Sequence, residues 1–394
     1  MSLAAHTPLL AAMAREVRRV AGSPLQVMLM VVLPFASAWW LLAIFAEPLP
    51  RDLPLALVDL DRSQASSTVA RMLDDTPTIR VSVEVPSIAD AERLVRTGAV
   101  YGLVAFPAGF GSAAVRGEAP AVSVFYNTQW LLAASLVARD AHAAVLTASA
   151  GAELGAQQAR GVPRPARAPR IEPIVTRTHT LVNPQLNYHY YLLAALFPAV
   201  LQMFAAMAMA IALGAEFKDD AAPEWLAIAR GSLVRAMAAK LAVQSAWFTM
   251  LAIAMLAIVF GRLGTPLTGR VAVLVAGAWL FVTAVQAVAC ALVALTAGLR
   301  LAASLVAFYT GIAFPFIGVT FPMLAMPPLA RAWAECLPLT HFVRVLTDHG
   351  LRGPQPGHDL RNLTMLAVFI AGALLVMAWP LHRLARGHRA WNAS

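Results

Sequence analysis

LLAALFPAVLQMFAAMAMAIALGAEFKDDAAPEWLAIARGSLVRAMAAK, residues 192–240, settles what class of protein this is. From Leu193 to Leu213 the only polar side chain is Gln202, and at 1.5 Å per residue such a run crosses a bilayer. It ends in Glu216, Lys218, Asp219 and Asp220. Ala222–Ala239 then reads as a short amphipathic segment, with Trp225, Leu226 and Ile228 apolar and Arg230, Arg235 and the adjoining Lys240 basic. A second apolar run begins at once. The chain leaves the membrane, turns through a compact charged loop and returns, which suits a loop on which a soluble partner pushes.

The composition agrees. Hydrophobic residues make up 59% of the chain, charged residues 13%, and the mean hydropathy is +0.67. Soluble domains carry roughly a quarter charged residues, so the chain reads as an integral α-helical membrane protein. The spanning runs are 25–46, 193–213, 241–260, 271–299, 301–321 and 363–381, giving six transmembrane helices. Segment 47–190 is different in character. Its Arg and its Asp plus Glu are equal in number, so the net charge of +9 lies entirely in the membrane portion and its tails. That distribution points to topology signals and away from nucleic acid.

Strands at Leu53–Val58, Ile79–Val83, Val100–Phe106 and Val122–Tyr126 alternate with helices at Ser63–Leu73, Ile88–Thr97 and Trp130–Arg160. Residues 47–190 are therefore expected to form an α/β domain with a mixed sheet. Ser63 and Ser87 are placed as N-caps. Asp59 and Asp61 beside Ser63 resemble a metal loop, although a strand end running into a capped helix accounts for them equally. Arg160–Arg170, with Pro163, Pro165 and Pro169, reads as an extended linker. Tyr188, His189, Tyr190 and Tyr191 read as an interfacial aromatic belt.

Before the first span, His6–Ala21 places Leu9, Leu10, Met13, Val17 and Val20 on one face. This predicts an interfacial amphipathic helix within a cytoplasmic segment 1–24. Arg15, Arg18 and Arg19, the 215–240 loop with both lysines, Arg300, and Arg383, Arg386 and Arg389 all fall on one side if both termini are cytoplasmic. That orientation makes 47–190 extracytoplasmic and 386–394 a cytoplasmic tail. Residues 322–362, rich in proline, are too short and too charged to span. They predict a broken or re-entrant segment at the outer side of the 191–385 five-helix membrane domain.

Chemistry within the spans is sparse. No phosphate-cradling G-x-x-x-x-G-K-[ST] run occurs and no nucleophile–base motif is visible, so the chain does not read as an enzyme. Cys290 and Cys336 are too differently placed to suggest a disulfide or a metal site. Gln202, Gln244 and Gln286 are the main polar groups inside the spans; they either hydrogen-bond between helices or line a substrate path.

Four stretches, in this order, carry a family resemblance: LPLALVDLDRSQASSTVARMLDDTP (53–77), SIADAERLVRTGAVYGLVAFPAGF (87–110), VNPQLNYHYYLLAALFPAVLQM (182–203) and MPPLARAWAECLPLTHFVRVL (326–346). Together they resemble the ABC-2-type transporter permeases, in the bacterial exporter branch with one span, a large outer domain and five further spans. The resemblance implies an inner-membrane permease subunit that exports a hydrophobic or amphipathic substrate. It binds no cofactor itself, and its ATP and Mg are used by a separate ABC ATPase subunit. Further partners implied are a second permease copy or a paralogue, a periplasmic adaptor and membrane lipid. Glu216, Lys218, Glu224, Trp225, Arg230 and Lys240 would couple to the ATPase, joined by the N-terminal helix. The Gly-Thr pair that often follows the family's Glu is replaced here by Asp219–Pro223. A non-transporting envelope scaffold or receptor, like the phage-infection proteins with related outer domains, is the alternative.

Overall fold

The computed structural model describes residues 8–45, 50–116, 118, 120–126, 131–159, 192–265, 267–353, 357–387 and 391. The chain divides into two compact units, one of residues 49–180 and one of residues 1–48 with 181–394. The linker 160–170 and the aromatic belt at 188–191 lie outside the described residues.

The smaller unit holds a four-stranded sheet of order β2-β1-β3-β4, formed by β1 (Leu53–Asp59), β2 (Ile79–Glu84), β3 (Gly102–Phe106) and β4 (Ser123–Tyr126). β1 pairs in parallel with β2 and β3, and β4 is antiparallel to β3, so the sheet is mixed as expected. The central strands are nearly continuous apolar runs because both their faces are covered. Helix α4 (Ile88–Arg96) packs Ala91, Leu94 and Val95 on Ala56, Val58, Leu103 and Ala105. Helices α3 (Gln64–Asp74) and α6 (Leu131–Ala159) pack together, α3 against β2 and α6 against β4. A Cβ at Gly102 would sit 2.7 Å from the Phe125 carbonyl oxygen and close to Val137, so that position admits only glycine without backbone movement. Sequence reasoning missed one helix, α5 (Phe110–Arg116), which is too short for its period to register.

The two aspartates at the end of β1 are engaged by hydrogen bonds within the unit. Asp59 Oδ1 accepts from the N–H groups of Asp61 and Arg62, and Asp59 Oδ2 from the Ser66 hydroxyl. Asp61 accepts from the N–H groups of Gly109 and Gly111 at 2.8 Å. The Ser63 hydroxyl, followed by these amides, holds the Asp61 carboxyl below the usual carboxylate range. Ser63 closes a capping box with Ser66 at the start of α3, and Ser87 caps α4. The N-capped-helix reading thus accounts for the aspartates.

The larger unit contains α1 (Pro8–Gly22), α2 (Pro24–Ile44), α7 (Ala194–Lys218), α8 (Ala222–Ile228), α9 (Leu233–Arg262), α10 (Val271–Thr296), α11 (Leu299–Gly311), α12 (Pro328–Glu335), α13 (Pro338–Thr347) and α14 (His358–Ala385). Among the described residues, six helices are long and apolar enough to cross a membrane: α2, α7, α9, α10, α11 with its 3₁₀ extension to Phe316, and α14. α7 and α10 are the central pair, with 67% of their most apolar windows buried against 17% for α2 and 22% for α14. Their inward positions are dominated by small residues such as Ala205, Ala208, Ala284 and Ala287, which let backbones approach closely where no hydrophobic effect drives helices together.

Prolines shape the spans. Pro34 has no N–H to offer the Met30 carbonyl four residues back, α2 passes through a π turn there, and Met30 O accepts from Trp247 Nε1 of α9 at 2.8 Å. The fifth span is shorter than its apolar run 301–321. Its α-helix ends at Gly311, because Pro315 can neither donate to the Gly311 carbonyl nor let Ala313–Phe314 continue comfortably as helix. After a 3₁₀ turn at Met323–Ala325 come the two helices α12 and α13, broken at Cys336–Leu337, and the last span already begins at His358, inside the segment expected to run to 362. His341, fully buried, bridges the break. Its Nε2 lies 3.0 Å from the Glu335 carbonyl oxygen, and its Nδ1 lies 3.2 Å from Asn362 Oδ1 on α14.

Candidate functional site

The charged turn after α7 is a tight elbow. Asp220 takes φ 52° between α7 and α8, and Arg230 and Gly231 take φ 51° and 72° between α8 and α9. Gly231 suits that left-handed position, whereas Asp220 and Arg230 occupy it at some cost. Ser232 caps α9 by accepting from the Arg235 N–H. This corrects the boundary expected from sequence. The loop ends at Ser232, and Arg235–Lys240 are already the first two turns of the third span. Lys240 belongs to a helix interior and is wholly buried.

What Lys240 meets there is the centre of the site. Glu216, also wholly buried, accepts at Oε1 from Arg15 Nη1 and Lys240 Nζ, both 2.9 Å away. Its Oε2 accepts from Arg15 Nη2 at 3.0 Å and Arg19 Nη1 at 2.7 Å. Both oxygens are therefore saturated. Lys240 Nζ spends its other donors on Glu16 Oε2, at 2.5 Å, and on the Ala212 carbonyl, at 3.2 Å. Gln244, one turn along α9, donates to Glu16 Oε1 at 3.2 Å. The Trp225 ring lies under the ammonium, 5.6 Å from centroid to Nζ. Arg19 also reaches Asp219, and Arg15 Nε lies 3.7 Å from Glu224.

Helix α1 is thereby turned the opposite way from a helix whose charged face is solvated. Its buried positions are Ala12, Arg15 and Glu16, with Arg19 half-buried beside them, while Leu9, Leu10 and Val17 are exposed. The apolar face points outward and the charged face is inside. The physical reason is the complementary set Glu216 and Lys240 on α7 and α9. Buried charges are tolerable only when every donor and acceptor is matched, and here Glu216 and Lys240 are matched.

The six residues expected to couple to a partner separate into two groups. Glu216, Trp225 and Lys240 are interior, so they hold the elbow and reach no surface. Lys218, Glu224 and Arg230 are exposed on it. Sequence reasoning missed Arg15, Glu16 and Arg19 as partners of this elbow. It also missed Trp391, which stacks on Phe217 at 5.5 Å, Phe217 in turn meeting Trp225 edge-on at 6.5 Å. Of the intramembrane glutamines, only Gln244 joins the cluster. Gln202 Nε2 donates to the Thr310 carbonyl at 3.1 Å, satisfying the frayed end of α11. Gln286 Oε1 accepts from Ser245 at 2.6 Å. All three are buried and bonded across helices.

A family model described as ABC-2 family transporter protein matches residues 24–379, so the chain belongs to the ABC-2 family. No curated protein and no solved structure matches it.

Proposed function

We propose that this ABC-2 membrane subunit works in an exporter of the bacterial inner membrane, driven by a separate ATPase that presses on the elbow. Both termini would be cytoplasmic, which gathers the arginines near α1, α11 and the end of α14 on the elbow's side. Lys218, Glu224 and Arg230 are the contact residues in this reading. The ATPase uses the ATP and Mg, and the chain holds neither. A second copy or a paralogue completes the transporter. The cargo is hydrophobic or amphipathic, in keeping with spans that carry few charges, and 47–190 is extracytoplasmic, where an adaptor would meet it.

The observation that carries this reading is the buried cluster of Arg15, Glu16, Arg19, Glu216 and Lys240. It ties α1, α7 and α9 to one another at the elbow, so a force on α8 moves the second and third spans as a rigid pair. A scaffold displaying an outer domain has no need of that linkage.

The test is a mild-detergent pull-down of the tagged full chain from its native host, probing for a P-loop ATPase. A surface variant, Lys218→Glu with Glu224→Lys and Arg230→Glu, is expected to remain monodisperse and to lose the ATPase. Failure of the wild type to retain any ATPase under gentle conditions would sink the exporter reading in favour of the scaffold.

A further inference from the structure

Away from the elbow, α10 and α14 part to leave a groove of about 370 Å³. Leu292 forms one wall; Met365, Phe369, Gly372 and Val376 form the other; Glu335 and Cys336 close one end. Met365, Phe369, Gly372 and Val376 recur at helical spacing, so the groove follows α14 for about 16 Å. That length is close to half of the roughly 30 Å hydrocarbon core, the depth of one leaflet. Gly372 makes the notch: a Cβ built there meets nothing within 4 Å.

Depth along α14 can be gauged from its arginines. Arg361 and Arg383 are separated by about 33 Å of helix, so they bracket the hydrocarbon core and Arg361 sits at headgroup level. Arg361 is one turn from Met365 and on the same face. Its side chain is 61% exposed, and its guanidinium lies 3.9 Å from Glu335 Oε2. Glu335 is already engaged by Arg344, at 3.1 and 2.5 Å. Two guanidiniums face one carboxylate, which leaves a net positive charge at the mouth of an apolar groove.

We propose that this groove is a binding site for one anionic phospholipid, with an acyl chain lying along α14 over Gly372 and the phosphate on Arg361. Apolar length matched to one leaflet, a cation at headgroup depth and a glycine notch on the connecting face are the features such a lipid requires. The inference rests on membrane insertion and not on coupling to an ATPase, so it stands or falls separately from the exporter reading.

The experiment uses the full chain, stripped of lipid in detergent and titrated with phosphatidylglycerol or phosphatidylcholine under native mass spectrometry. Wild type is expected to retain one phosphatidylglycerol, favoured over phosphatidylcholine by about fivefold, the discrimination one interfacial arginine supplies. Gly372→Phe fills the notch and is expected to lose that lipid. Arg361→Glu, a change at an exposed site, is expected to keep a lipid but lose the preference. Cys336, the exposed member of the two cysteines, supplies a second readout, because bound phosphatidylglycerol should slow its maleimide labelling. Equal retention of phosphatidylglycerol by wild type and Gly372→Phe overturns the proposal. So does a dimer that is lost in Gly372→Phe with no lipid released, since a second copy would then occupy the groove.

Discussion

Charge does opposite work in the two units of this protein. In the membrane unit, Arg15 and Glu216 are 201 residues apart in sequence and Glu16 and Lys240 are 224 apart, and all four are buried. In the α/β unit most ion pairs are local and open: Asp90 with Arg93, Glu92 with Arg96, and Arg116 with Glu118, all on exposed side chains. Asp140 of α6 is less open: it pairs with its neighbour Arg139 and accepts a buried hydrogen bond from the hydroxyl of Thr78, the residue before β2. A soluble unit has apolar surface to bury and can leave its charges in water. In a bilayer, apolar surface gains little by leaving lipid, so matched polar groups must decide which helix meets which.

Breaking the elbow cluster should therefore have the largest effect. Glu216→Gln leaves three cations facing a neutral amide, and removing one partner of a buried charged set costs about 3–5 kcal/mol. We expect a sharply lowered Tm in mild detergent, with trypsin cutting α1 at Arg18 and Arg19 once it detaches. Adding Arg15→Met to Glu216→Gln removes the cation whose two hydrogen bonds both go to Glu216, and should restore part of the loss. Two independent, additive losses would show that the groups do not act as a unit.

In the α/β unit the strongest polar effect should come from a cap and not from an ion pair. Ser63→Ala removes the side-chain acceptor at the start of α3 and should cost about 1 kcal/mol. Hydrogen exchange read by mass spectrometry is expected to show the first turn of α3 opening about fivefold more often, with the membrane helices unchanged. Equal changes in both units would contradict their division.

These contrasts also mark what could be read from the chain. The four strands and the helices at α3, α4 and α6 were legible to within two or three residues, because alternation, Ser63 and Ser87 are local signals. The six spans were legible by length. The α1 partnership was not, because periodicity weighs apolar residues and assigns the polar face to water by default. A signal was present in Lys240 and Gln244, one helical turn apart inside an otherwise apolar run, since a lysine there needs a carboxylate. Nothing local says that the carboxylates are Glu216 and Glu16. The early end of the fifth span was signalled by Pro315, which the hydropathy of 301–321 outweighed.

Glu335 lies between the extremes, and pH can separate it from both. Its hydrogen bond from Arg344, opposed by partial burial, holds its carboxyl below its ordinary value of 4.5. A carboxyl depressed in the folded state contributes stability that is complete above the unfolded value and disappears as pH falls through the folded one. The Tm gap between wild type and Glu335→Gln should thus be present at pH 7 and narrow below about pH 4.5. A gap that widened on acidification would mean that the pairing with Arg344 is not what Glu335 contributes.

The smallest effect is expected at Arg96. Its guanidinium is 3.2 Å from Glu92 one turn earlier on α4, with the two side chains 80% and 45% exposed. Water solvates both groups whether or not they meet, and ordering two long side chains offsets the attraction. Arg96→Ala should change the stability of α4 by no more than ~0.5 kcal/mol, with little dependence on salt. The distance in this pair is close to those in the elbow cluster, so separation cannot distinguish them. Solvent access can: the same 3 Å contact organises helices when water is excluded and contributes little when it is not. A loss at Arg96 as large as that at Ser63 would show that distance, and not burial, governs the worth of these pairs.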